Sequence, residues 1–270
     1  MLGYTAARIT EYVMSRIGLI VALSLAAVVG LVFGLFPQLD LMISAPFGAM
    51  VHDGLHFSAR FYPPLARARD IALWIPTVLM APAVVALVLK LILPQRKLLM
   101  SGRAILFLVT TLALGPGLLV NVALKDHWGR PRPVNVTQFG GSQHFVAWWD
   151  TRGDCESNCS FVSGDVAGAI WTIAPAALAP PPWRALAYGA ALTLGVGMAV
   201  VRVIQGGHFF TDVVFAGIFT FLIVWLVHGL IYRWSRTRLT DEGVEQAIER
   251  LARPGRDFIV ALLRKRKTEL

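Results

Sequence analysis

Six apolar stretches, each close to the roughly 20 residues that cross a bilayer as a helix, restrict what this chain can fold into. Inside the bilayer every backbone polar group needs a partner within the protein, and helices of this length supply one. The sequence therefore predicts an all-α fold, a six-transmembrane helix bundle over residues 1–239 followed by a tail over residues 240–270. The predicted spans are residues 17–36, 71–93, 104–124, 163–184, 185–205 and 209–232.

Basic residues are distributed unevenly along the chain and predict its orientation. Of the 25 Lys and Arg residues, ten lie from Arg233 onward, and others crowd the short loops near residues 96–103 and 184. By the positive-inside rule these segments and both termini are cytoplasmic. The net charge is +9, and its concentration in the tail predicts an amphipathic segment that contacts anionic lipid. Nucleic acid is not predicted as a partner. Lys90 is expected to extend its amine to the membrane interface.

The stretch between the last two spans indicates phosphate chemistry. Arg202 closes one span, a Gly-Gly pair interrupts the helix, and His208 opens the next span. His208 and Asp212 are four residues apart, so on one helix they share a face, and the carboxylate can accept one imidazole proton. The free ring nitrogen, next to Arg202 and a helix N-terminus, suits attack on a phosphate. The alternative is a capped helix start with an interfacial histidine and its ion-pair partner.

Two further polar clusters are predicted on the same outer face. Lys125 to Arg132 follow the third span, and Ser163, Gly164 and Asp165 precede the fourth. Arg and Lys bind phosphate oxygens, and Ser163 is a natural helix N-cap beside a glycine that lets an anion approach the backbone. An ordinary charged membrane border and a favourable first helical turn are the alternative explanations.

Cys155 and Cys159 are the two cysteines of the chain, and both fall in the predicted outer loop over residues 125–162. A pair with this spacing in an oxidising compartment forms a small disulfide-closed loop. Two free thiols are the alternative.

Taken together, the three clusters resemble the three-part signature of the type 2 phosphatidic acid phosphatase (PAP2) superfamily. This superfamily includes bacterial inner-membrane lipid phosphatases, soluble acid phosphatases and vanadium haloperoxidases. The resemblance covers about residues 104–232. Its parts are Lys125-x6-Arg132-Pro133, Ser163-Gly164 and Arg202-x5-His208-x3-Asp212.

The resemblance implies a multi-pass enzyme of a bacterial inner membrane with its active site at the periplasmic face. It implies hydrolysis of a lipid phosphate or pyrophosphate, of the lipid A, undecaprenyl pyrophosphate or phosphatidylglycerophosphate class, without a metal or other cofactor. His208 would form a phosphohistidine and Asp212 would orient it. The residues implied to bind the phosphate are Lys125, Arg132, Ser163, Gly164 and Arg202.

One departure from the family pattern concerns the proton donor. The second part of the signature usually contains a histidine after the Ser-Gly pair, and here Asp165 stands in its place. Three possibilities follow: a protonated Asp165 is the acid, His127 or His144 replaces it, or the leaving group needs little protonation. A phosphotransferase with the same intermediate, and a non-catalytic lipid-phosphate binding or transport protein, are the alternative functions.

Overall fold

A computed structural model describes residues 13–51, 54–237 and 239–268 of the chain. The N-terminal residues predicted to be cytoplasmic, 1–12, lie outside the described residues. Helices are the main elements of the described chain, which confirms the predicted class. Its helices are α1 (Arg16–Leu35), α2 (Gln38–Ser44), α3 (Pro63–Ile92), α4 (Gly102–Leu124), α5 (Gly164–Trp171), α6 (Ile173–Ala177), α7 (Pro181–Ile204), α8 (Phe210–Arg233) and α9 (Asp241–Thr268).

A short two-stranded ladder is the one β-sheet among the described segments. Strands β1 (Ala49–Val51) and β2 (Gly54–His56) pair antiparallel, with Ala49 opposite His56. They lie between the first two predicted spans, in a segment that also contains α2 and two short 3₁₀ turns. The ladder and turns provide hydrogen-bond partners for part of the backbone of this segment.

Five helices among the described residues are long and apolar enough to cross a membrane, namely α1, α3, α4, α7 and α8. The predicted fourth span is instead two short helices, α5 and α6, with a break at Thr172. Pro175 has no N–H to donate to the carbonyl four residues earlier, so a continuous helix cannot pass this point without losing a hydrogen bond. Pro181 begins α7, four residues before the predicted start, because proline suits the first turn of a helix.

The first compact unit comprises Met1–Thr77 and Thr111–Leu226. Helices α5 and α6 pack against α7, and α5 also packs against the Ala113–Leu124 part of α4, which has π-helical hydrogen bonding. The α5 residue Trp171 is fully buried and donates its Nε1 proton to Thr111 Oγ1 at 2.9 Å. The N-terminus of α5 is therefore held at a fixed place within this unit.

The loop over residues 125–162 is closed by a disulfide between Cys155 and Cys159, as one of the two sequence alternatives predicts. Its two ends are joined by backbone hydrogen bonds. Cys159 N donates to the Lys125 carbonyl at 2.9 Å, and Ser160 N donates to the Arg130 carbonyl at 2.8 Å. The disulfide loop thereby supports the segment that follows α4.

The second compact unit comprises Val78–Thr110 and Val227–Leu270. Lys90 does not extend to an interface in this unit. Its amine is buried and lies 2.8 Å from Glu245 Oε1 and 3.7 Å from Glu249 Oε2, both on α9. The two carboxylates on α9 compensate the charge of the buried amine, which an unpaired lysine would instead place among the lipid headgroups.

The described part of the tail contains one long helix, α9. Asp241 accepts from Arg103 Nη2 at 3.0 Å near the start of that helix. The boundary between residues 239 and 240 as a domain limit, and the contact of the tail with anionic lipid, stay predictions.

Candidate active site

His208 lies in the connection between α7 and α8 and is buried. Its Nδ1 atom is 2.7 Å from the Ser160 carbonyl oxygen. A carbonyl can only accept, so Nδ1 donates its proton there and Nε2 keeps a free lone pair. Burial lowers the pKa of His208 well below its ordinary value, and the positive charges of Arg202 and Arg132 lower it further. The imidazole is therefore neutral at neutral pH, the form required of a nucleophile.

Asp212 does not make the hydrogen bond to His208 that the sequence predicts. Its Oδ2 atom is 3.9 Å from His208 Nδ1 and accepts instead from Ser160 Oγ at 2.5 Å and from Phe209 N at 2.8 Å. The prediction assumes that both residues are on one helix, whereas α8 begins at Phe210, after His208. In that helix the carboxylate turns back to the N-cap N–H, as in a capping box. Asp212 thus contacts the residue that orients His208.

A buried arginine connects Asp212 to the N-terminal part of the chain. Arg130 Nη1 lies 2.5 Å from Asp212 Oδ1 and 2.7 Å from Thr211 Oγ1, and Arg130 Nη2 lies 2.8 Å from Asp40 Oδ2. The guanidinium also stacks over the Phe209 ring, with 4.6 Å to the centroid. One cation therefore joins two carboxylates in a region without solvent.

Sequence reasoning missed this network, although the chain contains a signal for it. Asp40 is the only charged residue between Arg16 and Asp53. A lone carboxylate in an apolar stretch needs a partner from elsewhere in the chain. On α2 it also accepts from Thr211 N at 3.0 Å and from Thr211 Oγ1 at 2.6 Å, which ties α2 to the start of α8.

Lys125, Ser163 and Gly164 meet at the N-terminus of α5. Ser163 Oγ accepts from Val166 N at 3.4 Å, which confirms the predicted N-cap. A Cβ on Gly164 would lie 2.8 Å from Asn121 Oδ1 and 3.3 Å from Lys125 Nζ, so glycine allows both polar groups to approach the helix start. Burial lowers the pKa of Lys125, and the charge of Arg132 adds to that effect. The amine is thus close to other cations.

Arg132 and Arg202 are held from different sides. Arg132 Nη2 donates to the Asn158 carbonyl at 2.9 Å and to Asn158 Oδ1 at 2.8 Å, and Asn158 lies inside the disulfide loop. Arg202 Nη1 donates to Gln205 Oε1 at 3.2 Å, and its guanidinium packs against Gly207 where any Cβ would overlap it. Each guanidinium is therefore fixed by neighbours that leave part of its donor set for a ligand.

Asp165 is in two ion pairs, which argues against its predicted role as the acid. Its Oδ2 atom lies 2.7 Å from Arg69 Nε in a hydrogen bond and 3.2 Å from Arg202 Nε, a contact without hydrogen-bond alignment. This oxygen is therefore already engaged as a hydrogen-bond acceptor for one guanidinium and lies beside a second. Sequence reasoning missed Arg69, because nothing in its neighbourhood links it to residues almost one hundred positions later.

The two histidines considered as alternative acids are both exposed. His144 Nδ1 lies 2.8 Å from Asp154 Oδ2, within the outer loop. Neither His144 nor His127 shares a described contact with His208. The predicted phosphate-binding residues and His208 all belong to the first compact unit.

Comparison with known proteins places these features in context. The model of the PAP2 superfamily matches residues 104–236. The chain is 35% identical over 232 residues to a protein named lipid A 4'-phosphatase from Francisella tularensis subsp. novicida, which covers 82% of this chain and 98% of the relative. It is also 42% identical over 104 residues to a lipid A 4'-phosphatase from Rhizobium leguminosarum, covering 38% of this chain and 45% of that relative. No solved structure matches the chain.

Proposed function

The chain belongs to the PAP2 superfamily, as the three sequence motifs indicate, and we propose that it removes phosphate from lipid A through a phosphohistidine on His208. The observation that carries this proposal is the hydrogen bond from His208 Nδ1 to the Ser160 carbonyl. It leaves Nε2 as the only ring nitrogen able to attack, in a neutral imidazole beside several cations. Phosphatase activity is also what the names of the relatives state of those proteins.

In the proposed reaction, His208 Nε2 attacks phosphorus while the P–O bond to the lipid breaks. A P–N bond forms, and the leaving oxygen takes a proton from water, because Asp165 is engaged with Arg69. The hydroxide that this water leaves behind then attacks the phosphohistidine, which breaks the P–N bond, releases inorganic phosphate and restores the neutral imidazole. Throughout, Lys125, Arg132 and Arg202 would stabilise charge on the phosphoryl oxygens, which is the main catalytic contribution in phosphoryl transfer.

Gly164 and Ser163 complete the proposed phosphate site. The α5 N-terminus presents backbone N–H groups and the positive end of the helix dipole, which favour an anion. Asp212 acts in this scheme through Ser160, whose hydroxyl it accepts and whose carbonyl orients His208. Asp212 is therefore a positioning residue.

An amphiphilic substrate suits an apolar cavity of about 730 Å³ in the same unit. Its wall includes Val166 of α5, directly after Asp165, and Phe210 and Val213 of α8, two and five residues after His208. Residues of α1, including Ile17 and Val21, and residues of α7 line other parts of the wall. Such a cavity accommodates acyl chain next to a polar headgroup.

We further propose that the site faces the periplasm of a bacterial inner membrane. The disulfide Cys155–Cys159 supports an oxidising compartment for the loop that follows Lys125. The basic segments at residues 96–103 and beyond Arg233 support a cytoplasmic location for the opposite ends of the spans. In this topology the broken pair α5 and α6 makes the fourth of six crossings.

The test is phosphate release by the detergent-purified protein in the presence of excess chelator. Lipid A, undecaprenyl pyrophosphate and phosphatidylglycerophosphate are compared as substrates. We expect release from lipid A, at the 4'-phosphate, and a loss of more than about 1000-fold in His208→Ala. His144→Ala, an exposed histidine in the outer loop, is the matched control and should retain activity.

Three results would change the conclusion. Release from another lipid would keep the chemistry and change the substrate. Phosphate lost from one lipid and gained by a second would indicate a phosphotransferase. Lipid binding without any transfer or release, or equal rates in His208→Ala and wild type, would refute the phosphohistidine enzyme.

A further inference from the structure

Asp165 occupies the position where the family has a histidine, and it brings a second arginine to the site. Its Oδ2 atom bridges Arg69 on α3 and Arg202 on α7, at 2.7 and 3.2 Å. The two helices are distant in sequence, so a single carboxylate oxygen joins two separate elements. A substitution that only removed an acid would not require a charged partner from α3.

The ion pair leaves Arg69 partly open. Its side chain is 30% exposed, compared with 19% for Asp165 and 10% for Arg202. Arg69 donates to Asp165 through Nε, and its Nη1 atom lies 3.6 Å from the exposed Asp70 carboxylate. A guanidinium has five N–H groups, so donors remain on Arg69 for a further anion.

Arg69 also lies close to the predicted phosphate-binding arginines. Because Arg69 and Arg202 contact one oxygen atom, their guanidinium groups are within reach of a single phosphate. Burial lowers the pKa of the Arg132 guanidinium, and the charges of Arg60 and Arg69 lower it further, against the opposite effect of Asp165 and Asp212. Electrostatic interaction of this kind requires that these side chains be near one another.

We propose that Asp165 is a positioning residue whose carboxylate fixes Arg69 and Arg202, and that Arg69 is a further phosphate-binding residue. Asp165 and Arg69 together add no net charge, so Lys125, Arg132 and Arg202 still provide the excess positive charge for a phosphate dianion. The carboxylate also supplies an anionic partner for two guanidinium groups while no substrate is bound. The ligand class is a phosphate monoester or inorganic phosphate.

The first test measures binding of inorganic phosphate to the full-length protein in detergent by calorimetry. We expect Arg69→Gln to weaken phosphate binding by about tenfold, because it removes one charge-assisted donor. Arg67→Gln is the matched control, since Arg67 is an exposed arginine on the same helix, two residues before Arg69. It should bind phosphate like wild type. Equal affinity in Arg69→Gln and wild type, or no saturable binding by wild type, would overturn the proposal.

The second test is a double-mutant cycle in kcat/KM on the lipid substrate, and this arm rests on the proposed function. Arg69→Gln and Asp165→Asn should each lower kcat/KM, and the double variant should be no worse than the poorer single variant. A residue that donated a proton to the leaving group would act independently of Arg69, so multiplied losses would overturn the positioning role of Asp165.

The two arms separate failure of this inference from failure of the proposed function. If wild type releases no phosphate from any lipid, the phosphatase proposal fails, whereas the binding comparison still decides the role of Arg69. If wild type is active and Arg69→Gln matches it in both assays, only this inference fails. Asp165→Glu, which retains the carboxylate, should recover part of the activity that Asp165→Asn loses. No recovery would count against an ionised carboxylate as the working group.

Discussion

Replacement of Arg130 by alanine should lower the free energy of unfolding more than replacement of any other arginine at the site. Arg130 is fully buried, and so are its partners Asp40 and Asp212. Arg130→Ala would leave both carboxylates in the interior without their cation. Removing one partner of a buried ion pair costs about 3–5 kcal/mol, and with two carboxylates affected we expect the upper end of that range.

This loss is large compared with the roughly 5–15 kcal/mol that stabilises an ordinary domain. A loss of about 1 kcal/mol lowers the unfolding midpoint of a chain near this size by about 2–4 °C, so the expected decrease is roughly 10–20 °C. The measurement is thermal unfolding in detergent, followed by tryptophan fluorescence. Asp40→Asn, which keeps the shape but removes one charge, should have a smaller effect of the same sign.

Arg132→Ala is the matched control for that experiment. Arg132 is two residues further along the same loop, is half-buried, and contacts Asn158. Its removal should reduce phosphate binding and leave the unfolding midpoint within about 2 °C of wild type, as for most surface changes. Equal midpoints for Arg130→Ala and wild type would refute the reasoning, because they would mean that the two buried carboxylates do not need the charge of Arg130.

Three further predictions concern the histidine, the disulfide and the tail. Because burial lowers the pKa of His208, its imidazole should stay neutral, and kcat/KM should not decrease through its protonation, until the pH is well below 6.5. An acidic limb at 6.5 in the pH–rate profile would contradict this. The free energy of unfolding should decrease as the pH falls below 6.5, because the unfolded chain then binds a proton that the fold excludes. Replacing Cys155 and Cys159 by serine should raise KM about tenfold, because their loop holds Arg132, and reductant should have the same effect on wild type. An unchanged KM in both cases would show that the loop keeps its shape without the bond. Lys90→Met should make α9 several-fold more sensitive to limited proteolysis, since it removes the cation between two α9 carboxylates, and an unchanged cleavage rate would contradict that role.

Local pattern was sufficient for the features of this protein that depend on neighbouring residues. Apolar length predicted α1, α3, α4, α7 and α8, because burial in a membrane depends on composition over one continuous stretch. Helix capping by Ser163 and the cysteine pair were predictable for the same reason, since their partners are three and four residues away. Pro175 predicts a kink in the fourth span, because it lacks the N–H that a continuous helix needs, and the structure divides this span into α5 and α6.

The roles of the polar residues depended on contacts between distant parts of the chain. His208 is oriented by a backbone carbonyl 48 residues earlier, and any residue type at that position could provide such a carbonyl. Asp165 meets Arg69 across 96 residues, a partner that no local sequence pattern indicates. Asp40 meets Thr211 across 171 residues. Residue types alone indicate which groups are able to bind phosphate and attack it, because that chemistry belongs to the side chains. Which of these groups are paired, buried or oriented follows from the fold, because electrostatic and hydrogen-bond partners are set by distance in space.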